Sequence, residues 1–185
     1  MPASVRHVLI VCLAALLAGP PAFGQDTDDV LDQLLGQLHQ AKDETAAKLL
    51  EQAVWQAWMR SGSPTVDLLV EQAESAMAEN QYAIAISILS TAIELEPDFP
   101  EVWNRRATAY YLDRQFKLSL ADAERVLELE PRHFAALAGI GMLQQELGDD
   151  RAALDAFRRA LAIHPFLPVA RRAVKQLELE VEQDI

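Results

Sequence analysis

The sequence predicts an all-α protein in which antiparallel helix pairs stack side by side. The first observation is a fixed period, because Pro97, Pro131 and Pro165 follow one another at intervals of 34 residues. Proline lacks a backbone N–H and ends a helix, so each of these prolines marks the same boundary. The second observation is that each interval holds two stretches of helical periodicity. A pair of such helices buries its apolar face only by stacking on its neighbours.

The helices are predicted in order from apolar periodicity and from end signals. They cover Val30–Gln40, Glu44–Arg60, Pro64–Glu79, Tyr82–Glu96, a stretch to about Leu112, a second stretch to Glu130, a helix closed by Gly148, its partner opening at Asp149 or Asp150, and a last helix from Pro168. Asp43 and Ser63 are predicted to cap the helices that follow them. Asp98 and Glu101 are predicted to form a capping box.

The first 24 residues have the three parts of a secretory signal peptide. Arg6 and His7 precede an uncharged apolar run, Val8 to Ala18, and small residues at Ala22 and Gly24 precede a cleavage point. We therefore expect cleavage after residue 24, loss of Cys12 and export, with the bacterial periplasm as the expected location. An uncleaved anchor is the alternative. Residues 25–29 then form an acidic linker.

Composition and spacing argue against several kinds of function. The formal net charge is −12, which opposes binding to nucleic-acid phosphates. His39, His133 and His164 lie too far apart in the sequence for a metal motif, so neither a metal nor a cofactor is predicted. Gly139 and Gly141 fall within a helix, where Gly141 allows close helix packing, so they do not form a phosphate loop. No pattern of catalytic residues is found, and the chain is predicted not to be an enzyme.

The period and its residues resemble the tetratricopeptide repeat (TPR). Three units are identified, Val66–Phe99, Pro100–His133 and Phe134–Leu167, and the middle unit carries the family's residue types best. These are Trp103, Ala107, Tyr110, Ala123 and Val126. The predicted organisation is therefore a signal peptide (1–24), a linker (25–29), an N-terminal helical cap or degenerate repeat (30–62), three repeats (63–167) and a C-terminal capping helix with an acidic end (168–185). Tyr110 and Phe157 are expected in the core, and Trp55 and Trp58 are expected to pack the cap onto the first repeat.

The resemblance implies a short right-handed solenoid whose concave groove holds a peptide or helix of a partner protein. The residues expected to face this groove are Val70, Glu74, Met77, Asn104, Thr108, Tyr111, Leu112, Ala138, Met142, Gln145 and Glu146. The Lys/Asn clamp with which some members bind a C-terminal carboxylate is missing, which argues against a receptor for chaperone tails. The expected function is a non-catalytic adaptor or scaffold of the cell envelope. The alternative is a structural subunit of an envelope assembly that uses its cap or convex surfaces, and the oligomeric state stays open.

Overall fold

The computed structural model describes residues 25–183, and side chains from 29 to 179. The predicted signal peptide lies outside these residues. Within them the chain forms nine α-helices and no strand, which confirms the all-α prediction. The helices are α1 (Gln25–His39), α2 (Glu44–Trp58), α3 (Pro64–Ala78), α4 (Tyr82–Leu95), α5 (Pro100–Leu112), α6 (Phe116–Leu129), α7 (Phe134–Glu146), α8 (Asp150–Ile163) and α9 (Pro168–Gln183). No helix in this part of the chain is long and apolar enough to cross a membrane.

The turn inside each helix pair repeats with the same period as the prolines. Asn80, Arg114 and Gly148 lie 34 residues apart, and all three have positive φ angles, of 61°, 59° and 79°. The left-handed conformation reverses the chain in a few residues, and it costs glycine least. The three turns therefore set α3–α4, α5–α6 and α7–α8 as equivalent antiparallel pairs.

The predicted N-cap positions of α2 and α3 are confirmed, and the capping box predicted before α5 is not. Asp43 accepts a hydrogen bond from the Ala46 N–H at 2.8 Å, as predicted. Ser63 is the N-cap of α3, but its side chain makes no capping bond there. The predicted capping box of Asp98 and Glu101 is wrong. Phe99 is the N-cap of α5, and the Glu101 carboxylate is buried against His133, a partner that short-range sequence spacing does not reveal.

The N-terminal pair α1–α2 packs mainly on the third unit and α9, and only Met59, at the end of α2, packs against the core that contains the first unit. Trp58 stacks on His133, with ring centroids 4.1 Å apart, and also contacts Phe134, where the third unit begins. The expectation that Trp55 and Trp58 join this pair to the first repeat is therefore wrong. The ring of Trp55 also lies edge-on to Phe134. Whether residues 30–62 are a cap or a degenerate repeat stays a prediction.

Polar contacts hold the same pair against the loop that follows α6 and against the last turn of α8. Asp32 forms an ion pair with Arg132 at 2.7 Å, and the Nδ1 atom of His39 lies 2.8 Å from the Ala162 carbonyl oxygen. The pair thus covers the edge of the stack at which the inter-repeat loops emerge. This position brings one side of α2 close to the first helices of the second and third units.

Buried side chains in the described region form two clusters. The first core joins α1, α2, α7, α8 and α9, and Leu38, Val54 and Phe157 are among its fully buried members. The second core lies within α3, α4 and the adjoining face of α5, around Leu89. Gly141 lets α7 approach α8, because a Cβ added there would lie 2.8 Å from the Phe157 ring. Tyr110, predicted in the core, is only partly buried, and the guanidinium of Arg106 lies 5.7 Å from its ring.

Candidate functional site

A cavity of about 340 Å³ lies between α2 and the first helices of the second and third units. Helix α5 provides one side, α7 provides the floor, and the segment that opens α9 closes one end. The residues that line it are Glu51, Trp55, Asn104, Arg105, Ala107, Thr108, Tyr111, Ser119, Ala123, Phe134, Ala135, Ala136, Ala138, Gly139, Met142, Leu143, Leu167 and Val169. Most of this lining is apolar, with polar groups contributed mainly by α5.

The structure brings together five of the residues predicted to face the groove. Asn104, Thr108, Tyr111, Ala138 and Met142 all line this cavity. They come from positions on α5 and α7 that the repeat period makes equivalent or neighbouring. Their role in binding stays a prediction.

The other predicted groove residues lie outside the cavity. Val70 is buried in the second core, and Met77 packs against that core from its edge. Glu74 is paired with Arg105, and Leu112 is exposed beyond the cavity. Gln145 and Glu146 follow Met142 toward the end of α7. The first unit therefore contributes little to the cavity.

Small residues on α7 make the space. Ala135, Ala138 and Gly139 line the cavity on consecutive turns, and a Cβ added at Gly139 would meet nothing within 4 Å. Gly139 therefore faces open space, whereas Gly141 faces a ring. Trp55 and Met142 contribute larger apolar surfaces, which suit contact with an apolar side chain.

The charge of Arg105 is already matched by carboxylates. Its guanidinium lies 2.9 Å from Glu74 and 3.5 Å from Glu101, and a terminal nitrogen lies 3.2 Å from the Met59 sulfur. The contact with Met59 also joins α5 to the end of α2. Arg105 therefore offers little net positive charge to a ligand.

Tyr111 marks the rim opposite α2. Its hydroxyl donates to Glu146 at 3.4 Å, and its ring lies 5.7 Å from Phe116. Partial burial, followed by the charge and hydrogen bond of Glu146, raises the pKa of Tyr111 above its usual value. The tyrosine is thus a neutral hydrogen-bonding group at neutral pH.

A buried polar pair supports the site from below. The Nδ1 atom of His133 accepts from the Ala136 N–H at 3.1 Å, so its Nε2–H donates to Glu101 at 2.9 Å. Burial by itself raises the pKa of Glu101, but the His133 hydrogen bond and the Arg105 charge outweigh it, and the net pKa is lowered. Asn104 also donates to this carboxylate at 3.2 Å. The pair fixes the start of α7 relative to α5.

A second buried histidine lies where α2 meets the end of α8. The Nε2 atom of His164 is 3.4 Å from the Glu51 carboxylate, and Phe134 lies edge-on to its ring at 5.1 Å. His133 and His164 therefore pack against aromatic residues and carboxylates. Across the described residues, no group of three or more His, Cys, Asp and Glu side chains is arranged to hold a metal ion.

Sequence reasoning missed the wall of the site that α2 supplies. Glu51 and Trp55 line the cavity with residues at least 49 positions further along the chain, and no repeat period connects them. Leu167 and Val169, at the start of α9, were also missed. The only signal for the wall was the pair of tryptophans on α2, which indicates an apolar contact without identifying its target.

The structure is that of an all-α repeat protein with a cavity between α2 and the first helices of the second and third units, α5 and α7. A family model described as the tetratricopeptide repeat matches residues 70–121 and 113–168. A TPR repeat-containing protein of Rhizobium etli is 38% identical over 147 residues, which cover 80% of this chain and 72% of that protein. The chain belongs to the tetratricopeptide-repeat family, a protein-interaction fold.

Solved structures show the same fold at low sequence identity. The Sgt2 TPR domain from Aspergillus fumigatus aligns with a TM-score of 0.63 at 22% identity, covering 66% of this chain and 82% of that domain. The first TPR of Spaghetti (RPAP3), bound to an HSP90 peptide, aligns with a TM-score of 0.62 at 19% identity. That alignment covers 65% of this chain and 95% of the other.

Proposed function

We propose that the protein is a non-catalytic interaction module that binds a peptide segment of a partner protein in the cavity between α2, α5 and α7. The observation that carries this proposal is the cavity itself, which is lined by five predicted groove residues and floored by Gly139. Its volume of about 340 Å³ accommodates one or two bulky side chains and is too small for a folded domain. The ligand therefore inserts an apolar side chain while its backbone crosses the α5 rim.

The polar groups around the cavity favour a particular ligand. Asn104, Thr108 and Tyr111 provide hydrogen-bonding groups for a peptide backbone along α5. Glu51 and Glu146 add negative charge at the two sides, while Arg105 is already paired. A peptide with Lys or Arg beside a bulky apolar residue complements this site, and an acidic peptide is repelled.

The RPAP3 relative was solved with an HSP90 peptide, SRMEEVD, but this chain has a different site. The places where the family's carboxylate clamp would stand hold Val70, Glu74, Arg105, Ala135 and Gly139. Val70 is buried, and Arg105 is bound by Glu74 and Glu101. These residues support binding to an internal, uncharged or basic segment over binding to an acidic chain end.

The proposed location is the cell envelope, with the bacterial periplasm as the compartment. The support is the sequence pattern of residues 1–24, a short basic start, an apolar run and small residues before the cleavage point. N-terminal analysis of the chain from the envelope fraction is expected to find a first residue near Gln25. Retention of residues 1–24 would instead indicate an anchor.

Site-specific photocrosslinking in the host tests the cavity. A photoreactive benzoylphenylalanine replaces exposed Thr108 in the cavity or, as the control, exposed Lys117 on α6. We expect a specific adduct, identifiable by mass spectrometry, from position 108 and none from position 117. Adducts from position 117 alone would favour the structural-subunit alternative.

A matched pair of glycine variants makes this experiment decisive. Gly139→Met places a side chain in the cavity, whereas Gly36→Met places one on α1, where an added Cβ likewise meets nothing within 4 Å. Both changes replace a mid-helix glycine with a better helix former, so both variants are expected to fold. The adduct at position 108 should disappear with Gly139→Met and persist with Gly36→Met. An adduct that survives Gly139→Met contradicts the proposal.

A further inference from the structure

His164 is a buried titratable side chain that the proposed peptide binding does not use. It is 1% exposed, and neither of its ring nitrogens has a hydrogen-bond partner among the described residues. A neutral imidazole carries one N–H, and a buried N–H without an acceptor costs stability. The position of this ring in the fold therefore calls for a physical reason.

A carboxylate of the cavity wall lies beside the ring. The Glu51 carboxylate is 3.4 Å from the Nε2 atom of His164 without forming a hydrogen bond to it, and Glu51 also lines the cavity. A proton gained by the imidazole would give it a second N–H and a positive charge. A small rotation of the partly exposed Glu51 side chain would then close the gap to a charge-assisted hydrogen bond of about 2.8 Å. The pair is thus arranged for the charged form of His164.

The other buried histidine lacks this freedom. The Nδ1 atom of His133 accepts from the Ala136 N–H, and its Nε2–H donates to Glu101. A second proton on that ring would break the bond to Ala136, so this contact favours the neutral ring. His164 has no such bond at either nitrogen, so it can gain a proton without losing one.

The elements packed around His164 bring one carboxylate to its ring. Glu51 of α2 is the only acidic side chain within 4 Å of a ring nitrogen in the part of the chain that the structure describes. Lys48, one turn earlier on α2, is exposed, and the first turn of α7 and the last turn of α8 are uncharged. His39 of α1 contacts a carbonyl of α8, and Arg171 of α9 lies over a phenylalanine ring. Burial opposes a charge on the imidazole, and the adjacent carboxylate favours it.

The repeat gives an independent reason for a charge at this position. Glu130 and His164 occupy the same position of their units, 34 residues apart. Glu130 is bound by Arg132, which pairs with Asp32 of α1 at 2.7 Å. In the second unit, positive charge therefore lies between two carboxylates where the N-terminal pair meets the stack. In the third unit the same position holds a histidine opposite Glu51, and a positive charge on His164 completes the match.

We propose that protonation of His164 switches the charge of the cavity wall, from a free Glu51 carboxylate at neutral pH to a neutralised ion pair in mild acid. Histidine side chains generally gain their proton between about pH 8 and 5. Arg105, the other charged residue of the lining, stays paired with Glu74 and Glu101 in both states. The effect on binding rests on the proposed function, because a basic peptide is then held at neutral pH and released in acid.

A cysteine in the cavity measures this charge without any peptide. Gly139→Cys places a thiol there, since an added Cβ meets nothing within 4 Å, and Cys12→Ser removes the single cysteine of the sequence. The probes are two methanethiosulfonate reagents, one carrying a trimethylammonium group and the other a sulfonate. The ratio of the cationic to the anionic rate reports the local charge, and the pH dependence of the thiol itself cancels.

We expect this ratio to fall by about fivefold between pH 7.5 and pH 5.5 at low ionic strength. One unit charge across a cavity about 7 Å wide changes each rate by roughly two- to threefold, in opposite directions, even at the dielectric constant of water. Glu51→Gln should have the low ratio at both pH values, because the carboxylate is gone. His164→Gln should keep the high ratio at both, because an amide gains no proton.

The control for position is Leu118→Cys on α6, where the leucine is 48% exposed and the ratio should not change between these pH values. Circular dichroism checks the fold of each variant, and Glu51→Gln decides the outcome by itself if His164→Gln does not fold, since Glu51 makes no hydrogen bond among the described residues. A constant ratio at position 139 overturns the proposal. A fall that persists in His164→Gln, or a high ratio in Glu51→Gln at pH 7.5, does the same.

The photocrosslink at position 108 then tests the effect on binding. In the wild-type chain the adduct should be at least about fivefold weaker at pH 5.5 than at pH 7.5, the lower end of the usual coupling between two sites, and in His164→Gln it should be equal at both. The same pH dependence in both chains would overturn control of binding by His164. A charge switch measured by the reagents without any adduct would support the switch and contradict the proposed function.

Discussion

The two cores of this protein are built from very different stretches of sequence. The second core takes its buried residues from α3, α4 and α5, within the continuous stretch 66–109. The first core joins α1 and α2 to α7, α8 and α9, so it links residues as far apart as Leu35 and Leu177. One core follows from stacking neighbours in order, and the other requires the chain to bring its two ends together.

The comparison shows that the N-terminal pair α1–α2 distinguishes this molecule from a regular stack of repeats. A repeat array buries each unit on its immediate neighbours. Here the N-terminal pair passes by the first unit and packs beside the third unit, where Trp55 becomes a wall of the cavity. The same displacement thus creates the candidate binding site and leaves Leu68 of the first unit exposed.

Phe157→Ala is expected to cause the largest loss of stability, because it empties the centre of the first core. The ring is fully buried against Gly141, and truncating such a residue costs about 3–5 kcal/mol. Tyr110→Ala, by contrast, should cost clearly less, since Tyr110 is partly exposed. Urea unfolding followed by circular dichroism measures both. Equal losses at the two sites would contradict the placement of Tyr110 outside the cores.

Trp58→Ala should loosen α1 and α2 from the third unit within the first core, at a cost of about 3 kcal/mol. It removes the stack on His133 and the contact with Phe134, which together hold α2 against the third unit. Hydrogen exchange read by mass spectrometry should show faster exchange in α1 and α2, while the amides of α3 and α4 keep their protection.

The control for this experiment is Trp103→Ala. Trp103 is half-buried, packs against the second core and donates its Nε1–H to the Pro97 carbonyl oxygen at 2.9 Å. This change should leave exchange in α1 and α2 as it is. Uniform loss of protection across both cores in Trp58→Ala would mean that the cores unfold as one cooperative unit.

The sequence predicted the local structure well because local rules decide it. Helix ends agree with the predicted ends to within a residue or two from α2 to α8, since prolines, caps and the 34-residue period act within a single unit. Gly141 was correctly linked to close packing because its position in the repeat requires a small residue.

The sequence could not predict contacts that depend on which distant surfaces meet. Nothing in the spacing of Trp58 and His133, 75 positions apart, indicates that the two rings stack. Glu101 fitted a capping pattern, but a buried histidine 32 positions away provided a better partner. For the same reason, the part of the candidate site on α5 and α7 could be predicted from the repeat. The part on α2 could not.

Glu101→Gln should produce the smallest of these effects and the only one that depends on pH. Glu101 lies where the two cores meet, on α5, and its carboxylate accepts from His133 at the start of α7. Its pKa in the folded protein is lowered from the usual 4.5, so the folded state favours the charged carboxylate. This contribution to stability is complete above pH 4.5 and is lost as pH falls through the folded-state pKa.

The variant should therefore be less stable than the wild type by about 1.5–3 kcal/mol at pH 7, the usual contribution of a hydrogen bond to a charged group. The difference should shrink as pH falls below 4.5, because Glu101 of the unfolded wild-type chain then binds a proton and favours unfolding, whereas the amide binds none. Urea titrations at several pH values between 7 and 3 measure this. Glu128→Gln, at an exposed carboxylate, should change stability by no more than about 0.5 kcal/mol at pH 7. A difference for Glu101→Gln that stayed constant down to pH 3 would show that its charge does not hold the two cores together.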